Sequence, residues 1–66
     1  MKIVINGQPK EFEDKSTLED ILKELALEGK VMAAAVNMNI VKQNEWKSYI
    51  LEEGDKLELL DFVGGG

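Results

Sequence analysis

Three consecutive glycines, Gly64 to Gly66, end the sequence. Glycine makes up about 7% of residues in average proteins, so composition alone is a poor explanation for three in a row. Glycine has no side chain to pack and loses more backbone entropy on ordering than any other residue. We therefore expect residues 64–66 to be a flexible tail that presents the Gly66 carboxylate beyond a folded domain, residues 1–63.

A terminal glycine carboxylate is suited to activation by another protein. The carboxylate itself is inert toward nucleophiles, but ATP converts it into an acyl adenylate, and a sulfur donor can then displace AMP and leave a thiocarboxylate. An adenylating enzyme must close tightly around the acyl carbon, where a Cβ atom would obstruct it. We predict that Gly66 is the reacting residue and that Gly65 gives access to it.

The rest of the chain lacks the usual groups of side-chain catalysis. Cys and His are both absent, which excludes disulfides, a thiolate nucleophile and an imidazole proton shuttle. The acidic segment at residues 11–14 lacks the ligand spacing of a calcium loop, so we predict neither a metal nor a bound cofactor. We expect a protein that is acted on by enzymes and is not itself an enzyme.

Charge and hydropathy limit the possible partners. Eight Lys plus Arg against thirteen Asp plus Glu give a net charge of −5, which opposes binding to the phosphate backbone of nucleic acid. No apolar run approaches the roughly twenty residues that a membrane span needs. We expect a cytoplasmic protein that binds neither nucleic acid nor membrane.

The first half of the chain predicts a hairpin and a helix. The β-branched start of the chain is followed by Asn6-Gly7, a strong hairpin-turn signal, and by a short strand over residues 10–13 with Phe12 inward. The Ser16-x-x-Glu19 pattern is typical of a helix cap, and apolar spacing continues a helix over residues 17–28, with Lys23 placed to pair with Glu19. Gly29 is the predicted helix stop.

The second half predicts strands over residues 31–36, around residues 40–41 and over residues 56–63, separated by turns. Trp46 lies in an irregular segment or short helical turn, where we expect it to close one end of the core. We place Met32 in the core and leave the position of Met38 open.

This order of elements predicts an α+β fold. One main helix packs across a mixed sheet of four to five strands, with the first and last strands adjacent and parallel at its centre. That is the β-grasp, or ubiquitin-like, arrangement. The last strand is apolar on both faces, so its outer face, together with the neighbouring first strand, is a candidate partner surface. Its residues are Val4, Leu60, Phe62, Val63 and Gly64.

Over essentially its full length, the chain resembles the thiamine-pathway sulfur carrier family, ThiS. The resemblance is carried, in this order, by residues 1–7, the helix from Thr17, Ala35-Val36-Asn37, Ile40-Val41, Trp46, residues 53–55 and the final Gly65-Gly66. Members often have Pro-Arg at the position of Lys42-Gln43 and end in two glycines. Neither difference affects the predicted chemistry.

The resemblance implies a function and a set of partners. A ubiquitin-activating-type adenylyltransferase similar to ThiF would use ATP to adenylate Gly66. A cysteine desulfurase would supply the sulfur, and a thiazole synthase similar to ThiG would consume the thiocarboxylate during thiamine biosynthesis.

Three other functions stay open from the sequence. The chain is also similar to the small subunit of molybdopterin synthase, which carries sulfur on the same type of Gly-Gly end. A ubiquitin-like modifier would instead join its glycine carboxylate to lysines of target proteins. An interaction module with an inert tail would keep its role without Gly65 and Gly66.

Overall fold

A computed structural model describes residues 1–60 of the chain. The elements are β1 (Lys2–Ile5), β2 (Gln8–Glu11), helix α1 (Leu18–Glu24), β3 (Ala33–Val36), β4 (Asn39–Val41), a 3-10 turn at Gln43–Glu45, and β5 (Lys56–Leu60). The strands form one sheet in the order β2-β1-β5-β3-β4. β1 and β5 are parallel and adjacent, and the other neighbouring pairs are antiparallel. The predicted β-grasp arrangement is confirmed.

Helix α1 covers one face of this sheet. Leu18, Ile21 and Leu22 of the helix are buried, as their spacing predicts. They join the inward side chains of the strands, including Ile3 and Leu57, in one hydrophobic core. The remaining buried members of this core are Ile5, Phe12, Val31, Ala34, Val36, Val41, Trp46, Leu51 and Leu59.

The first hairpin forms at Asn6-Gly7, where both residues adopt positive φ (48° and 86°). The two-residue turn pairs Ile5 directly with Gln8, so β2 begins two residues before the predicted strand at 10–13. Pro9 is tolerated because β2 is an edge strand that needs no second partner. Phe12 is buried as predicted, although it lies just after the strand.

The predicted helix start was wrong by one residue. Thr17, rather than Ser16, caps α1: its Oγ1 accepts a hydrogen bond from the Asp20 N–H (3.1 Å), and the Asp20 carboxylate accepts one from the Thr17 N–H (3.0 Å). Ser16 instead donates from its hydroxyl to the Glu13 carbonyl (2.8 Å). The short Asp side chain completes the same reciprocal pattern that the sequence assigned to Glu19.

The predicted helix end was also wrong, because the helix stops at Glu24 and not near residue 28. Ala26 adopts a left-handed φ of 59°, with its N–H donating to the Lys23 carbonyl (3.0 Å). The Leu27 N–H donates to the Leu22 carbonyl (2.8 Å), which completes a Schellman motif. Alanine therefore fills the position that we assigned to Gly29.

Trp46 packs as predicted. It is buried, and its indole N–H donates to the Val41 carbonyl (2.8 Å). Met32, in contrast, is 56% exposed, so its predicted core position was wrong. A bend at Met32 precedes β3 and breaks the alternation, so that Val31 turns inward instead. Met38, whose position the sequence left open, is exposed.

Candidate functional site

The predicted reacting end of the chain lies outside the described residues. This applies to Phe62, Val63, Gly64, Gly65 and Gly66. The described part of the site is therefore the end of β5 and the sheet surface around it. Those residues determine where the terminal segment begins.

Strand β5 is paired on both sides along most of its length, and its last residue, Leu60, is held from the β3 side. On one side, the Val4 N–H donates to the Asp55 carbonyl (3.0 Å) and the Asn6 N–H to the Leu57 carbonyl (2.9 Å). On the other side, β3 pairs with β5 from Val36 opposite Leu57 to Ala33 opposite Leu60. The Met32 N–H donates to the Leu60 carbonyl (2.8 Å) and extends this ladder by one bond. A central, doubly paired strand is a rigid base for a terminal segment.

The two faces of β5 carry different side chains. Leu57 and Leu59 point into the core, whereas Leu60 is 61% exposed. Beside Leu60, Ala33 and Ala35 leave a shallow, mostly apolar groove because their side chains are short, and Asn6 and Glu58 also line it. Ile40, which is 72% exposed and lies opposite Ala35 on β4, forms the far wall of this groove. We call Ala33, Ala35, Ile40 and Leu60 the outer patch.

The structure does not bring Val4 and Leu60 together. Val4 is half-buried and pairs with Lys56, at the opposite end of β5. Leu60 lies four positions after Lys56, which is about 13 Å along the strand. Val4 therefore lies outside the outer patch, and its contact with a partner stays a prediction.

Sequence reasoning missed Ile40 as a member of the surface. The alternation of side chains along a strand could have identified it. Val41 is a suitable inward residue, and its neighbour Ile40 must then point outward. What the sequence did not reveal was that β4 follows β3 at the sheet edge, which brings Ile40 beside Ala35.

The acidic groups of α1 lie away from the outer patch. Glu19 pairs with Lys23 (3.5 Å), as the spacing predicts. The hydrogen bonds from the Thr17 backbone N–H and Thr17 hydroxyl lower the pKa of Asp20 below 3.8. Both interactions support the helix itself. Within residues 1–60, no group of three or more carboxylates is arranged to hold a metal ion, and no helix is long and apolar enough to cross a membrane.

Comparisons with known proteins agree with this architecture. The model of the ThiS family matches residues 3–66. The chain is 29% identical over 66 residues to the sulfur carrier protein ThiS of Escherichia coli, with both chains fully covered. The crystal structure of the thiamine biosynthesis protein ThiS from Geobacter metallireducens superposes with a TM-score of 0.82 at 23% identity, again over both full chains. At this identity, the superposition supports the fold alone.

A larger protein also contains a similar segment. The whole chain is 38% identical to part of the thiazole synthase of Paramagnetospirillum magneticum. The chain spans 20% of the length of that synthase, and the same share of the thiazole synthase of Magnetococcus marinus, to which it is 35% identical.

Proposed function

This chain belongs to the ThiS family, and we propose that it is a sulfur carrier for thiazole formation in thiamine biosynthesis. The observation that carries the proposal is the family match over residues 3–66, because it includes both the folded domain and the terminal glycines. The fold supports it by placing the last strand at the centre of the sheet.

The proposed chemistry takes place on the Gly66 carboxylate. A carboxylate oxygen attacks the α-phosphorus of ATP and pyrophosphate leaves, which gives an acyl adenylate. The persulfide sulfur of the donor then attacks the acyl carbon and AMP leaves, which gives an acyl disulfide. A thiol, such as excess cysteine, cleaves the S–S bond, so that the thiocarboxylate stays on the chain and the donor sulfur leaves as a mixed disulfide with that thiol. Gly65 and Gly64 supply the narrow backbone that lets an enzyme reach this carbon. The chain is thus a substrate of other enzymes and supplies no catalytic side chain.

Three partners follow from this scheme. A thiazole synthase is favoured by the similar segment within the two bacterial synthases. A ubiquitin-activating-type adenylyltransferase similar to ThiF would use the ATP, and a cysteine desulfurase would supply the sulfur. We place the carrier in the cytoplasm because its activation consumes ATP.

We propose the outer patch as the docking surface for the activating enzyme. Its apolar side chains are exposed around Leu60, the last described residue before the terminal segment. Phe62, Val63 and Gly64 continue the chain toward the reacting carboxylate, and their contacts, like that of Val4, stay predictions. When the enzyme binds an apolar surface close to the reacting end, it also holds the carboxylate near its active site.

Intact mass spectrometry tests the proposal. The chain is incubated with ATP, the activating enzyme and a cysteine desulfurase fed with cysteine, and its mass is compared with that of a control without ATP. We expect exchange of one oxygen for sulfur, and loss of this exchange when Gly64, Gly65 and Gly66 are all deleted. Deleting Gly66 alone would leave a chain that still ends in two glycines. An unchanged mass with partners that act on another carrier would contradict the proposal, and higher-mass conjugates in cell extract would indicate a protein modifier instead.

A further inference from the structure

The side chain of Asn6 makes two hydrogen bonds to one residue near the end of β5. Its Oδ1 accepts from the Leu59 N–H (2.9 Å), and its Nδ2 donates to the Leu59 carbonyl (3.4 Å). Asn6 follows β1 directly and has a left-handed φ of 48°. The side chain therefore reaches across to β5 after the backbone of β1 has turned away.

The ladder between β1 and β5 shows what these bonds replace. In a parallel ladder, a residue on one strand makes two hydrogen bonds to the neighbouring strand. Its N–H donates to the carbonyl of one residue there, and its carbonyl accepts from the N–H of the residue two positions further along that strand. The Asn6 N–H donates to the Leu57 carbonyl (2.9 Å), so its carbonyl would next accept from the Leu59 N–H. The positive φ redirects that carbonyl, and the side-chain oxygen takes its place. Asn6 thus extends the ladder beyond the last residue of β1.

A second asparagine holds the other end of β5. Asn37 also has a positive φ, 50°, and also starts a turn after a strand that flanks β5. Its Oδ1 accepts from the Lys56 N–H (3.0 Å), and its Nδ2 donates to the Asp55 carboxylate (3.0 Å). Both residues are asparagines in the left-handed region of the backbone, but their side chains bind opposite ends of β5. We call the side-chain hydrogen bonds of each asparagine to β5 its tie.

The two asparagines bind β5 at different distances from the terminal glycines. Asn37 holds Lys56, where the chain enters β5, whereas Asn6 holds Leu59, one residue before the last described residue. On the β1 side of Leu59, the only hydrogen-bond partner among the described residues is the Asn6 side chain. The Leu60 carbonyl is held from the β3 side by Met32.

We propose that Asn6 is a positioning residue for the activation of the terminal carboxylate. By fixing Leu59, it sets the position and direction of β5 just before the residues that lead to Gly66. This inference rests on the proposed function. Asn6 acts through Leu59 and does not itself touch the reacting atoms.

Loss of this tie should lower the rate of the chemical step more than the affinity for the enzyme. The four residues of the outer patch would remain in place, because they are held by the pairing of β3 with β4 and β5. Asn6 borders the same groove, so a change in KM would report on docking and a change in kcat on positioning. A bound carrier would then present its carboxylate correctly in only a fraction of complexes. The expected kinetic signature is a lower kcat with little change in KM for the carrier.

The variants Asn6→Gly and Asn37→Gly form a matched pair for the test. Glycine accepts the positive φ, so each change removes the side-chain hydrogen bonds without adding backbone strain. Rates of thiocarboxylate formation are measured against carrier concentration, and the stability of each variant is measured by urea unfolding. Hydrogen exchange of the Leu59 and Lys56 amides shows that each tie has been lost.

We expect Asn6→Gly to lower kcat about fivefold, because it removes one short hydrogen bond to Leu59 (2.9 Å) and one long and therefore weak one (3.4 Å). KM should stay within about twofold. Asn37→Gly should leave both constants within about twofold of the original chain while losing similar stability. Asn6→Asp keeps the acceptor for the Leu59 N–H and should have an intermediate kcat. If Asn6→Gly does not fold, Asn6→Asp replaces it in the kinetic test.

Two results would overturn the proposal. One is an unchanged kcat for a folded Asn6 variant whose Leu59 amide exchanges freely, and the other is an equal fall in kcat for Asn37→Gly. If the original chain forms no thiocarboxylate with active partners, the proposed function fails, and the positioning role fails with it. The first two results would leave the sulfur carrier function intact, so the two failures are distinguishable.

Discussion

The two faces of the sheet have different tasks. The inner face is covered by α1, and its central residues, such as Ile3 and Leu57, are fully buried. The outer face carries short alanines and the exposed side chains of Ile40 and Leu60, and no described element covers it. The inner face supplies the stability of the domain, and we propose that the outer patch and the strand end beside it serve the partner. Substitutions on the inner face should therefore change the stability of the domain, and substitutions on the outer face should change the kinetics of the activating enzyme.

The largest effect is expected on the inner face. Leu57→Ala should destabilise the domain by about 2–5 kcal/mol, because it leaves a cavity at a fully buried site. The core of a domain this small supplies about 3–5 kcal/mol in total, so much of the variant should be unfolded. Urea unfolding followed by Trp46 fluorescence measures this loss.

Leu60→Ala is the matched control on the same strand, since Leu60 is largely exposed. It should cost less than about 1 kcal/mol. If both variants unfold at the same urea concentration, the assignment of the two faces is wrong.

A smaller effect is expected on the outer face. Leu60→Ser should raise the KM of the activating enzyme for the carrier about tenfold, which corresponds to about 1.4 kcal/mol of lost binding. Its kcat should change little, in contrast to that of Asn6→Gly. Kinetics of thiocarboxylate formation at varied carrier concentration measure both constants.

Ile50→Ser is the control for this variant. Ile50 is 55% exposed, close to the 61% of Leu60, but it pairs with Thr17 at the start of α1. Its substitution should leave KM unchanged. An equal rise in KM for both variants would show that general surface hydrophobicity, and not the outer patch, governs docking.

The smallest effect concerns the helix that covers the inner face. The hydrogen bonds from Thr17 lower the pKa of Asp20 below 3.8, so the unfolded chain binds this proton more tightly than the folded chain. The stabilisation from Asp20 is present above pH 3.8 and is lost as the pH falls through the lowered pKa. Asp20→Asn should thus be less stable than the original chain at neutral pH, and this gap should close in acid.

Urea unfolding at several pH values measures the gap. The same comparison in a Thr17→Ala background is the control, because it removes the hydroxyl that binds the Asp20 N–H. A gap of the same size at every pH would contradict the assigned capping interaction.

Local patterns in the sequence predicted the fold well where one signal dominated. Asn6-Gly7 placed the first hairpin, and the spacing of Leu18, Ile21 and Leu22 placed the buried face of α1. Boundaries failed where two residues competed for one role. Thr17 and Ser16 are both suitable caps, and Ala26 ends the helix in a conformation that is usually left to glycine.

The site was less predictable because it depends on pairing between distant strands. The sequence identified Leu60 as an outward apolar residue, but not the register that sets Val4 opposite Lys56 or brings Ile40 beside Ala35. The role of Asn6 was hidden for the same reason: Leu59 lies 53 positions away in the chain. Residue type alone indicated a turn at Asn6 and carried no information on its partner.

Transfer of labelled sulfur tests whether this chain carries sulfur to the thiazole. The chain is converted to its thiocarboxylate with ³⁵S-labelled cysteine, purified, and mixed with thiazole synthase and its other substrates, or with the large subunit of molybdopterin synthase. We predict that the label leaves the chain and appears in the thiazole product. Label that stays on the chain with an active thiazole synthase, or that moves only to the molybdopterin product, would contradict it.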